Sequence, residues 1–594
     1  MSKKNSYTTE EALEFILNPA SCSELSDIDS DSNDEIEFEV PLRIDDIVME
    51  ENNDNFKEIA EVQSEAIDDN NNIEVDDLSK YDSHKYRWRS FKQLNINTEF
   101  YGTRFSLPPC NTDSLTPLNY FQMFWKNELN ELIAEQTNLY SVQKKSKSIV
   151  TTSDEIEQLL GIQMLMSIVK LPSCRMYWAA ETKYPPIAGV MSRNRYMCLR
   201  ECLHFNDNSR KDEVENKNNK LFKIQPVLDH VRNNCTMIEP EIEQSIDEQI
   251  IPAKTKYSGI RQYNPKKPIK WGFKNFVRAG KSGIMYDFFL YSGSSGNGKK
   301  CTGAYVVLKL LEKLSKNHNF KVFFDNWFCS MQLCLALKEM GFLVSATIRP
   351  DRTKGCQLAT EKDLKKLGRG SQSFKIDANS GLILTKWYDN KCVNLISTYC
   401  DPGLVSKIKR WDRKDKKYIE IDCPSVVQEY NKSMGGVDLA DMLISLYRTT
   451  IKTRRWYLKV FFHCLDIAKV NGWLVYRRHC DQVKVPKKSQ MSLLKFTSDV
   501  ASGLISSRKI HSTVGRPLKR KSDNASIPEK KKQPLNIPVN DSRYDNISHW
   551  PEFREKKNKC RFCKTGQGRV YCKKCNLCLC MSNSRNCFFN FHCK

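Results

Sequence analysis

Carboxylates placed where hydrophobic side chains are expected are the first candidates for chemistry in this sequence. Asp247 lies inside the apolar segment SIDEQII, and Asp325 directly follows the apolar run FKVFF. Charged side chains are rarely left unpaired in such positions. Asp438 and Asp441, three residues apart in GGVDLAD, share one face of the helix that is predicted to begin after the two glycines. Two strand carboxylates and one or two helix carboxylates can converge on a divalent cation.

Such a cluster predicts a site for Mg²⁺ or Mn²⁺, because these ions take oxygen ligands in octahedral geometry. Two ions about 4 Å apart stabilise both the attacking and the leaving oxygen of an in-line phosphoryl displacement. Taken singly, each aspartate is more often a helix cap, a turn residue or half of a surface ion pair. Spacing alone does not distinguish these roles from catalysis.

The C-terminal end carries a second set of candidate metal ligands. Eight of the 23 cysteines fall in the last 35 residues, together with one histidine. The candidates are Cys560, Cys563, Cys572, Cys575, Cys578, Cys580, Cys587, His592 and Cys593. Two C-x2-C pairs this close predict two tetrahedral Zn²⁺ ions in a RING- or PHD-like cross-brace, which needs eight of the nine. So short a segment has little core, so zinc would supply folding free energy on the order of 10 kcal/mol.

The charge distribution indicates a polyanionic partner for the folded part of the chain. Residues 1–80 hold 5 Lys and Arg against 24 Asp and Glu, a net charge of −19, which leaves +41 on the remainder of a chain whose total is +22. A surplus of this size suits nucleic acid, because neutralising phosphates releases condensed counterions. Solubility alone is the simpler alternative. The acidic arm has too few apolar residues to form a core, so we expect it to be disordered.

The elements that must position these residues can be read from hydrophobic periodicity. Three segments starting at about residue 116 predict helices: TPLNYFQMFWKNELNELIAEQTN, DEIEQLLGIQMLMSIVKL and SRNRYMCLRECLHF. The first would place Leu118, Phe121, Phe124, Trp125, Leu129 and Leu132 on one side. From about 242, three antiparallel strands and then helix, strand, helix, strand predict an α/β core, with Gly341 closing the second of these helices. A β-rich insertion is predicted over residues 352–424, followed by further helices.

Several strings in this chain, taken in order, carry a family resemblance. SIDEQ with NPKKPIKWGFK, FFDNWFCS, YNKSMGGVDLADML and RRWYLKVFFHCLDIAKVNGW, followed by the Cys/His cluster, resemble the piggyBac transposases and their domesticated relatives from about residue 85 to the end. The resemblance implies an RNase H-like core, a mixed sheet flanked by helices, with the insertion before the third aspartate. It implies that Asp247, Asp325 and Asp438 form a catalytic triad that binds metal, with Asp441 as a fourth carboxylate close to the ions.

Periodicity and resemblance together predict a division of the chain. The predicted units are an acidic arm (1–84), a helical dimerisation and DNA-binding domain in two parts (85–241 and 448–509), an RNase H-like catalytic core in two parts (242–351 and 425–447), the insertion (352–424), a basic linker (510–555) and the zinc domain (556–594). In the family the zinc domain resembles a reader of DNA ends. The family pattern favours Cys560, Cys563, Cys572, Cys575, Cys580, Cys587 and His592 as ligands, with Cys578 or Cys593 completing the set.

The resemblance also indicates candidate DNA contacts. Trp456, with Arg454 and Arg455 before it, matches a family tryptophan that follows the catalytic helix and could stack on an unpaired base. A core position for Trp456 is an equally good explanation. Lys267, Lys270 and Lys274 are predicted to flank the scissile phosphate, although ordinary solvated lysines on a strand explain them almost as well.

The basic linker predicts a nuclear protein. KRK at 519–521 and KKK at 530–532 are spaced as in a bipartite import signal that the nuclear import machinery would recognise. GRPLKRK is similar to an AT-hook, in which Arg516 would enter a narrow minor groove. A generic basic linker is the alternative. No secretory signal and no apolar stretch of about 18 residues occur, so no membrane contact is expected.

The function that the resemblance implies is cut-and-paste DNA transposition. The family nicks transposon ends, resolves a hairpin and joins the freed 3′-OH to double-stranded TTAA target sites, with a homodimer as the expected working form. One alternative is a domesticated, non-mobile DNA-binding relative. Another, from a different class, is a RING- or PHD-like ubiquitin ligase or histone reader, which would explain only the last 35 residues.

Overall fold

The computed structural model describes residues 75–90, 96–102, 115–214, 216–254, 259–265, 269–293, 302–412, 416–506, 538, 543–544, 548–582 and 584–593. Most of the predicted acidic arm lies outside these residues. So do Lys267 and the part of the basic linker that contains Arg516 and both lysine-rich clusters. Among the described helices, none combines the length and the apolar character that a membrane crossing needs.

The helices predicted before residue 242 are present. They are α1 (Pro117–Gln122), α2 (Asn127–Lys145), α3 (Ser153–Ile168), α4 (Pro185–Ala188), α5 (Arg193–Cys202) and α6 (Gln225–Thr236), with short 3₁₀ helices at Cys174–Trp178 and Asn208–Asp212. Two of them begin at threonines whose side chains accept hydrogen bonds from backbone amides, Thr116 in a capping box with Asn119 and Thr152 from Glu155.

The prediction of one continuous helix from residue 116 is wrong, because the chain turns between α1 and α2. The turn lets the Trp125 indole donate to Asn130 Oδ1 at 2.8 Å within the core. It also rotates the buried face, so that Ile133, with 0% exposure, lies in the core and Leu132 is only half-buried. Tertiary packing has overridden the periodicity of the sequence here.

A ten-stranded mixed sheet carries the two strand aspartates. Its strands are β1 (Trp88–Arg89), β2 (Glu243–Pro252), β3 (Arg261–Tyr263), β4 (Trp271–Gly280), β5 (Met285–Leu290), β6 (Lys321–Phe324), β7 (Leu343–Thr347), β8 (Gln372–Asp377), β9 (Ile383–Tyr388) and β10 (Cys392–Ser397). As predicted, β2, β4 and β5 are antiparallel neighbours. On the other side of β2, β6 and β7 continue the sheet in parallel.

Helices cover both faces of this sheet. The face that carries Ile246 and Phe324 packs against α7 (Gly303–Leu311) and α8 (Met331–Glu339). Gly341 follows α8 with a φ of +76°, the left-handed conformation predicted for the residue that closes this helix. The opposite face packs against α11 (Gly436–Leu446) and α12 (Trp456–Gln482).

The predicted insertion is β-rich and partly continuous with the core sheet. A 3₁₀ helix at Pro350–Arg352 and the short helix α9 (Glu361–Leu367) precede its strands. β10 pairs antiparallel with β7, so β8, β9 and β10 extend the main sheet. β11 (Val405–Asp412) and β12 (Lys417–Pro424) form a separate two-stranded sheet, and α10 (Ser425–Ser433) then returns the chain to the core.

The prediction that the acidic arm extends to residue 84 is wrong at its end. A 3₁₀ helix spans Val75–Tyr81, and the Tyr81 hydroxyl donates to Glu339 of α8. Asp377, with 0% exposure, accepts hydrogen bonds from His84 Nε2 at 2.8 Å and from the Arg87 amide at 2.6 Å. The acidic composition of the segment gives no sign of these contacts. The segment is anchored by one buried tyrosine and by a carboxylate that is distant in the chain.

The last described elements are α13 (Leu493–Ser506) and the cysteine-rich end. That end contains β13 (Pro551–Lys559), β14 (Gln567–Cys572), β15 (Met581–Ser582), β16 (Arg585–Asn586) and α14 (Cys587–His592). Its core consists of cysteines together with Val570, Leu577, Leu579 and two phenylalanines. So small an apolar cluster agrees with the expectation that metal stabilises this domain.

Candidate functional site

Asp247 and Asp325 lie side by side on neighbouring parallel strands. The last residue pair of the ladder between β2 and β6 is Ile246 with Phe324; Asp247 is the next residue on β2, and Asp325 directly follows the end of β6. Adjacent strands are about 4.8 Å apart, and residues at matched positions point to the same face of a sheet. Both carboxylates therefore start from one level of the sheet, on the face opposite to that of Ile246 and Phe324.

The helix that carries Asp438 packs directly on this face. A Cβ added at Gly436 would lie 2.3 Å from the Gly280 carbonyl oxygen and 2.6 Å from Ser245 Oγ, so α11 can approach the sheet only because this residue is glycine. Asp438 is exposed in the first turn of α11, and Asp441 is partly buried one turn later. The helix that carries both carboxylates thus lies against the face that carries Asp247.

The three predicted catalytic carboxylates do not form a tight cluster in this arrangement. Among the described residues, their oxygens are not a set that lies mutually within 4.8 Å. A two-ion site does not require such a set. Ions about 4 Å apart, each ligated at about 2.1 Å, reach carboxylate oxygens separated by up to roughly 8 Å. Carboxylate oxygens that are exposed or half-buried are donors of the kind that Mg²⁺ and Mn²⁺ take.

Two residues that the sequence analysis did not identify surround Asp325. Thr347 Oγ1 donates to Asp325 Oδ1 at 2.9 Å from the next parallel strand, and the Asn326 amide donates to the same oxygen at 2.5 Å. Tyr430 of α10 lies beside Thr347, and its pKa is raised first by burial and then by the negative charge of Asp325, with a smaller contribution from Asp247. The phenol therefore stays protonated next to both carboxylates. The strand pairing that brings Thr347 to Asp325 has no signal in the local sequence.

Asp441 is held by two partners from other elements. Gln249 Nε2 donates to Asp441 Oδ1 at 3.1 Å, and Arg448 Nη2 lies 3.3 Å from the same oxygen. Gln249 lies two residues after Asp247 on β2, so both side chains point to the same face of the sheet, towards α11. Asp441 is thus tied to the strand that carries the first predicted catalytic aspartate.

The predicted lysine contacts occupy different environments. Lys274 pairs with Glu248 at 2.7 Å and lies 4.8 Å from the ring centre of Trp327. Lys274 belongs to β4 and pairs with Ile250 of β2, so its side chain points to the face of the sheet away from Asp247. Lys270 is exposed before β4.

Trp456 and its two arginines begin α12. The Trp456 ring is half-buried and makes an edge-to-face contact with Phe273 of β4 at 5.9 Å. Arg455 donates to the carbonyl oxygens of Arg200, Glu201 and Leu203, so its guanidinium binds the C-terminal end of α5. Arg454 is exposed. The Arg455 guanidinium therefore serves the fold, and the prediction that Arg454 contacts DNA stays a prediction.

The cysteine-rich end contains two sets of four ligands. His549, Cys572, Cys575 and His592 form one set, and Cys560, Cys563, Cys580 and Cys587 form the other, each with ligand atoms mutually within 4.8 Å. We call them the His₂Cys₂ site and the Cys₄ site. The two sets interleave along the chain, and each can hold one tetrahedral ion. The His₂Cys₂ site takes the first, fourth, fifth and eighth ligands, which differs from the strictly alternating pairs of the predicted RING- or PHD-like cross-brace.

The ligand assignment corrects two predictions and adds one residue. Cys578 lies outside both sets, and its thiol donates to the carbonyl oxygens of Asn558 and Gly568 at 3.2 Å each. Cys593 is also outside both sets. His549 completes the eight candidate ligands, so this metal-binding unit would begin before residue 556, the predicted boundary. This histidine lies 11 positions before Cys560. The family pattern favours seven ligands, six cysteines and His592, and two four-coordinate sites need eight. That one missing ligand is the only signal in the sequence that could have indicated His549.

The two C-x2-C loops have matching backbone geometry. Lys564 and Asn576, each directly after the second cysteine of a pair, have φ of 60° and 52°, and their amides donate to the carbonyl oxygens of Cys560 and Cys572. Amides also donate to thiols, from Gly566 to Cys563 Sγ at 3.3 Å and from Cys575 to Cys572 Sγ at 3.4 Å. The Gly566 amide is the main reason that the pKa of Cys563 falls to about 6. Such thiols deprotonate readily, as metal ligation requires.

Comparisons with known proteins show what this chain is similar to. A family model described as Transposase IS4 matches residues 116–473. PiggyBac transposable element-derived protein 3 from Homo sapiens is 28% identical over 499 residues, which cover 82% of this chain and 79% of that protein. PiggyBac transposable element-derived protein 2, also from Homo sapiens, is 26% identical over 461 residues, with coverage of 76% and 73%. The cryo-EM structure of a piggyBac transposase synaptic complex with hairpin DNA shares the fold, with a TM-score of 0.57 and 22% identity over 80% of this chain and 98% of that one.

Proposed function

Since the chain belongs to the piggyBac transposase family, we propose that it is a DNA transposase that excises DNA by metal-dependent cutting through a hairpin intermediate and joins the ends to TTAA sites. The observation that carries the proposal is the placement of Asp247 and Asp325 at one level of parallel strands, on the face that α11 and its Asp438 cover. Asp247 and Asp325 start from one face of the sheet, and α11, the helix that carries Asp438, packs against that face.

The strand order supports an RNase H-like core. β5, β4, β2, β6 and β7 are adjacent in that order, with β4 antiparallel to both neighbours and β2, β6 and β7 parallel. Ligand and metal sites in such sheets lie beyond the carboxyl ends of the parallel strands. Asp325 directly follows the end of β6, and Asp247, in the middle of β2, is the residue at which the parallel pairing with β6 stops.

Each residue of the site has a distinct role in the proposed mechanism. Asp247, Asp325 and Asp438 would hold two Mg²⁺ or Mn²⁺ ions, which activate the attacking oxygen and stabilise the leaving one. Thr347 and the Asn326 amide orient the Asp325 carboxylate through hydrogen bonds to its Oδ1. The closely packed Gly436 fixes the distance between α11 and the sheet.

The remaining parts of the chain support a DNA partner. The net charge of +41 outside residues 1–80 suits double-stranded DNA, and the two Cys/His sites fit Zn²⁺ in a domain that would read the terminal inverted repeats. A homodimer would bring the two DNA ends together. Import through the basic linker would place the protein in the nucleus.

A second candidate function is DNA binding by a domesticated relative that no longer moves DNA. The similarity to two human proteins named as transposable element-derived favours it. The presence of Asp247, Asp325, Asp438 and Asp441 favours catalysis instead, because binding alone would not require them. The two functions differ in whether the protein cuts DNA.

An excision assay distinguishes the two functions. A donor plasmid would carry a marker between the genomic sequences that flank the gene for this chain, and excision would be scored in cells that express the full protein. We expect excision by the wild type and by Asp499→Asn, a surface control. Asp247→Asn, Asp325→Asn and Asp438→Asn should each lose at least about 100-fold, since each removes a charged metal ligand. Equal excision by wild type and Asp325→Asn would refute the catalytic site, whereas DNA binding without any excision would support the domesticated alternative.

A further inference from the structure

A chain of buried hydrogen bonds connects α12 to the proposed carboxylate site. His463, 5% exposed in α12, has Nε2 2.8 Å from Gln249 Oε1, and Gln249, 2% exposed in β2, donates from Nε2 to Asp441 Oδ1 at 3.1 Å. Asn275, the residue paired with Gln249 on β4, also donates to Gln249 Oε1, at 3.4 Å. Side chains from α11, α12 and β4 therefore contact the Gln249 amide of β2.

The charges around this amide determine its orientation. Asp441 is an anion and requires donors, so the Gln249 NH₂ group faces it and the Gln249 oxygen faces His463. That oxygen accepts, so Nε2 of His463 must carry the proton. Burial, and after it the nearby charge of Arg448, lowers the pKa of His463 to about 3. The imidazole is therefore neutral at ordinary pH and has a single defined tautomer.

Arg448 is a buried cation, and it needs the Asp441 carboxylate as its acidic partner. Its side chain is 7% exposed, and Asp441 is its acidic partner at 3.3 Å. Arg448 Nε and Nη1 have no hydrogen-bond partner within the part of the chain that the structure describes. The loop that carries Arg448 is fixed by Asp466, which accepts from Thr449 at 2.9 and 2.8 Å, and by Lys469, which donates to the Tyr447 carbonyl. A buried cation held this rigidly keeps Asp441 in place.

We propose that His463 and Gln249 are positioning residues of the proposed carboxylate site. Through two hydrogen bonds they hold Asp441, and with it the first turns of α11, against β2, so that Asp438 stays within reach of the ions that Asp247 and Asp325 bind. Neither residue contacts the reacting atoms. The inference rests on the proposed function for its catalytic consequence, while the mechanical link between β2, α11 and α12 stands on the contacts alone.

Removing the amide tests the link. Gln249→Met keeps the length of the side chain and loses both hydrogen bonds, and His463→Leu removes the donor at the other end. Thr385→Val is the control, because Thr385 is a buried sheet residue whose hydroxyl has no partner among the described residues. Hydrogen exchange of the full-length proteins should rise at least about 10-fold in α11 for Gln249→Met and His463→Leu, with α8 unchanged.

Metal binding gives the second readout. The affinity for Mn²⁺, measured by electron paramagnetic resonance, should fall about 10-fold in each variant, and the Mg²⁺ concentration for half-maximal DNA nicking should rise by a similar factor. The double variant should lose no more than either single one, because both residues act through the same link. Additive losses, or α11 exchange and Mn²⁺ affinity equal to those of Thr385→Val, would overturn the proposal. Failure of wild-type protein to bind Mn²⁺ at Asp247 and Asp325 would instead overturn the proposed function, and hydrogen exchange would still decide whether the link exists.

Discussion

Ile246 and Phe324 are the last paired residues of the parallel ladder between β2 and β6, and this pairing sets Asp247 and Asp325 next to each other although they are 78 positions apart in the chain. β7 extends the same register, since Ala346 pairs with Phe324 and Thr347 therefore stands beside Asp325. The pairing of hydrophobic residues thus controls the geometry of the carboxylates. Predictions about the site follow from this register.

Thr347→Val should weaken catalysis without unfolding the protein. The valine keeps the shape of the side chain but removes the hydroxyl that donates to Asp325 Oδ1 at 2.9 Å. Loss of a donor to a metal-binding carboxylate typically costs about 10- to 100-fold in metal affinity or activity. Nicking of a plasmid that carries the flanking DNA would measure the effect against Mg²⁺ concentration and pH. Thr347→Ser, which keeps the hydroxyl, should restore most of the activity, and a valine variant as active as the serine variant would contradict the assigned role.

Gly436→Ala should displace α11, whereas Gly435→Ala should not. The new methyl group at 436 would lie 2.3 Å from the Gly280 carbonyl oxygen, while nothing lies within 4 Å of a Cβ at 435. Since backbone contacts at 436 cannot be relieved by a side-chain rotation, we expect a lower melting temperature, by several degrees, and loss of excision. The Gly435→Ala protein, whose φ of −73° suits alanine, is the matched control. Equal melting temperatures for the two proteins would show that α11 is not packed as described.

The sequence predicted the elements of this fold better than their boundaries. Hydrophobic periodicity located the helices before residue 242, the antiparallel strands and the β-rich insertion, because these patterns depend on local burial. It missed the turn at Lys126, where the Trp125 indole donates to Asn130. It also missed the docking of Tyr81 on α8. The docking of Tyr81 depends on a residue 258 positions away, and the turn involves one specific side-chain hydrogen bond between residues five positions apart. Periodicity records neither kind of contact.

For the candidate site, residue types were predictable and their partners were not. The aspartates stood out as charges in apolar segments, and the family resemblance assigned their roles. Thr347, Gln249 and His463 look like ordinary strand and helix residues, and only strand register and helix packing bring them to the site. His549 was missed because it precedes the cysteine cluster and joins it only when β13 pairs with β14.

The stability of the helical part should decrease in mild acid because of His204. This residue is 1% exposed, stacks on Tyr140 at 4.2 Å, and has a pKa that burial lowers from 6.5 to about 4. Below pH 6.5 the unfolded chain gains a proton that the folded protein does not accept until about pH 4. The free energy of unfolding should therefore fall as pH decreases through this window, by about 2 kcal/mol at pH 5. Calorimetry at pH 7 and pH 5 should show a smaller drop in melting temperature for His204→Gln than for the wild type, and an equal drop would contradict the prediction.

His549→Ala should remove one bound zinc ion, and Cys593→Ser should remove none. His549 completes the His₂Cys₂ site with Cys572, Cys575 and His592, whereas Cys593 belongs to neither site. Losing one of four protein ligands weakens zinc binding strongly, because metal binding and folding of this domain are coupled. Zinc content measured after dialysis against a chelator should be about two ions per chain for wild type and Cys593→Ser and about one for His549→Ala. Two ions in the His549→Ala protein, or one in the Cys593→Ser protein, would contradict this assignment and favour the ligand set predicted from the sequence.

Gly566→Ala should disrupt the Cys₄ site more than Gly568→Ala does. A Cβ at residue 566 would lie 2.3 Å from Cys580 Sγ and 3.2 Å from Cys563 Sγ, whereas the nearest atom to a Cβ at 568 is 3.6 Å away, an ordinary contact. Neither glycine has a positive φ, so the difference between the two variants is steric. The added methyl group pushes two ligands apart, and a tetrahedral ion with Zn–S distances of about 2.3 Å cannot follow them. Release of zinc to a colorimetric chelator should therefore be faster for Gly566→Ala, by at least about 10-fold, and unchanged for Gly568→Ala. Equal release from the two proteins would mean that Cys563 and Cys580 do not share an ion.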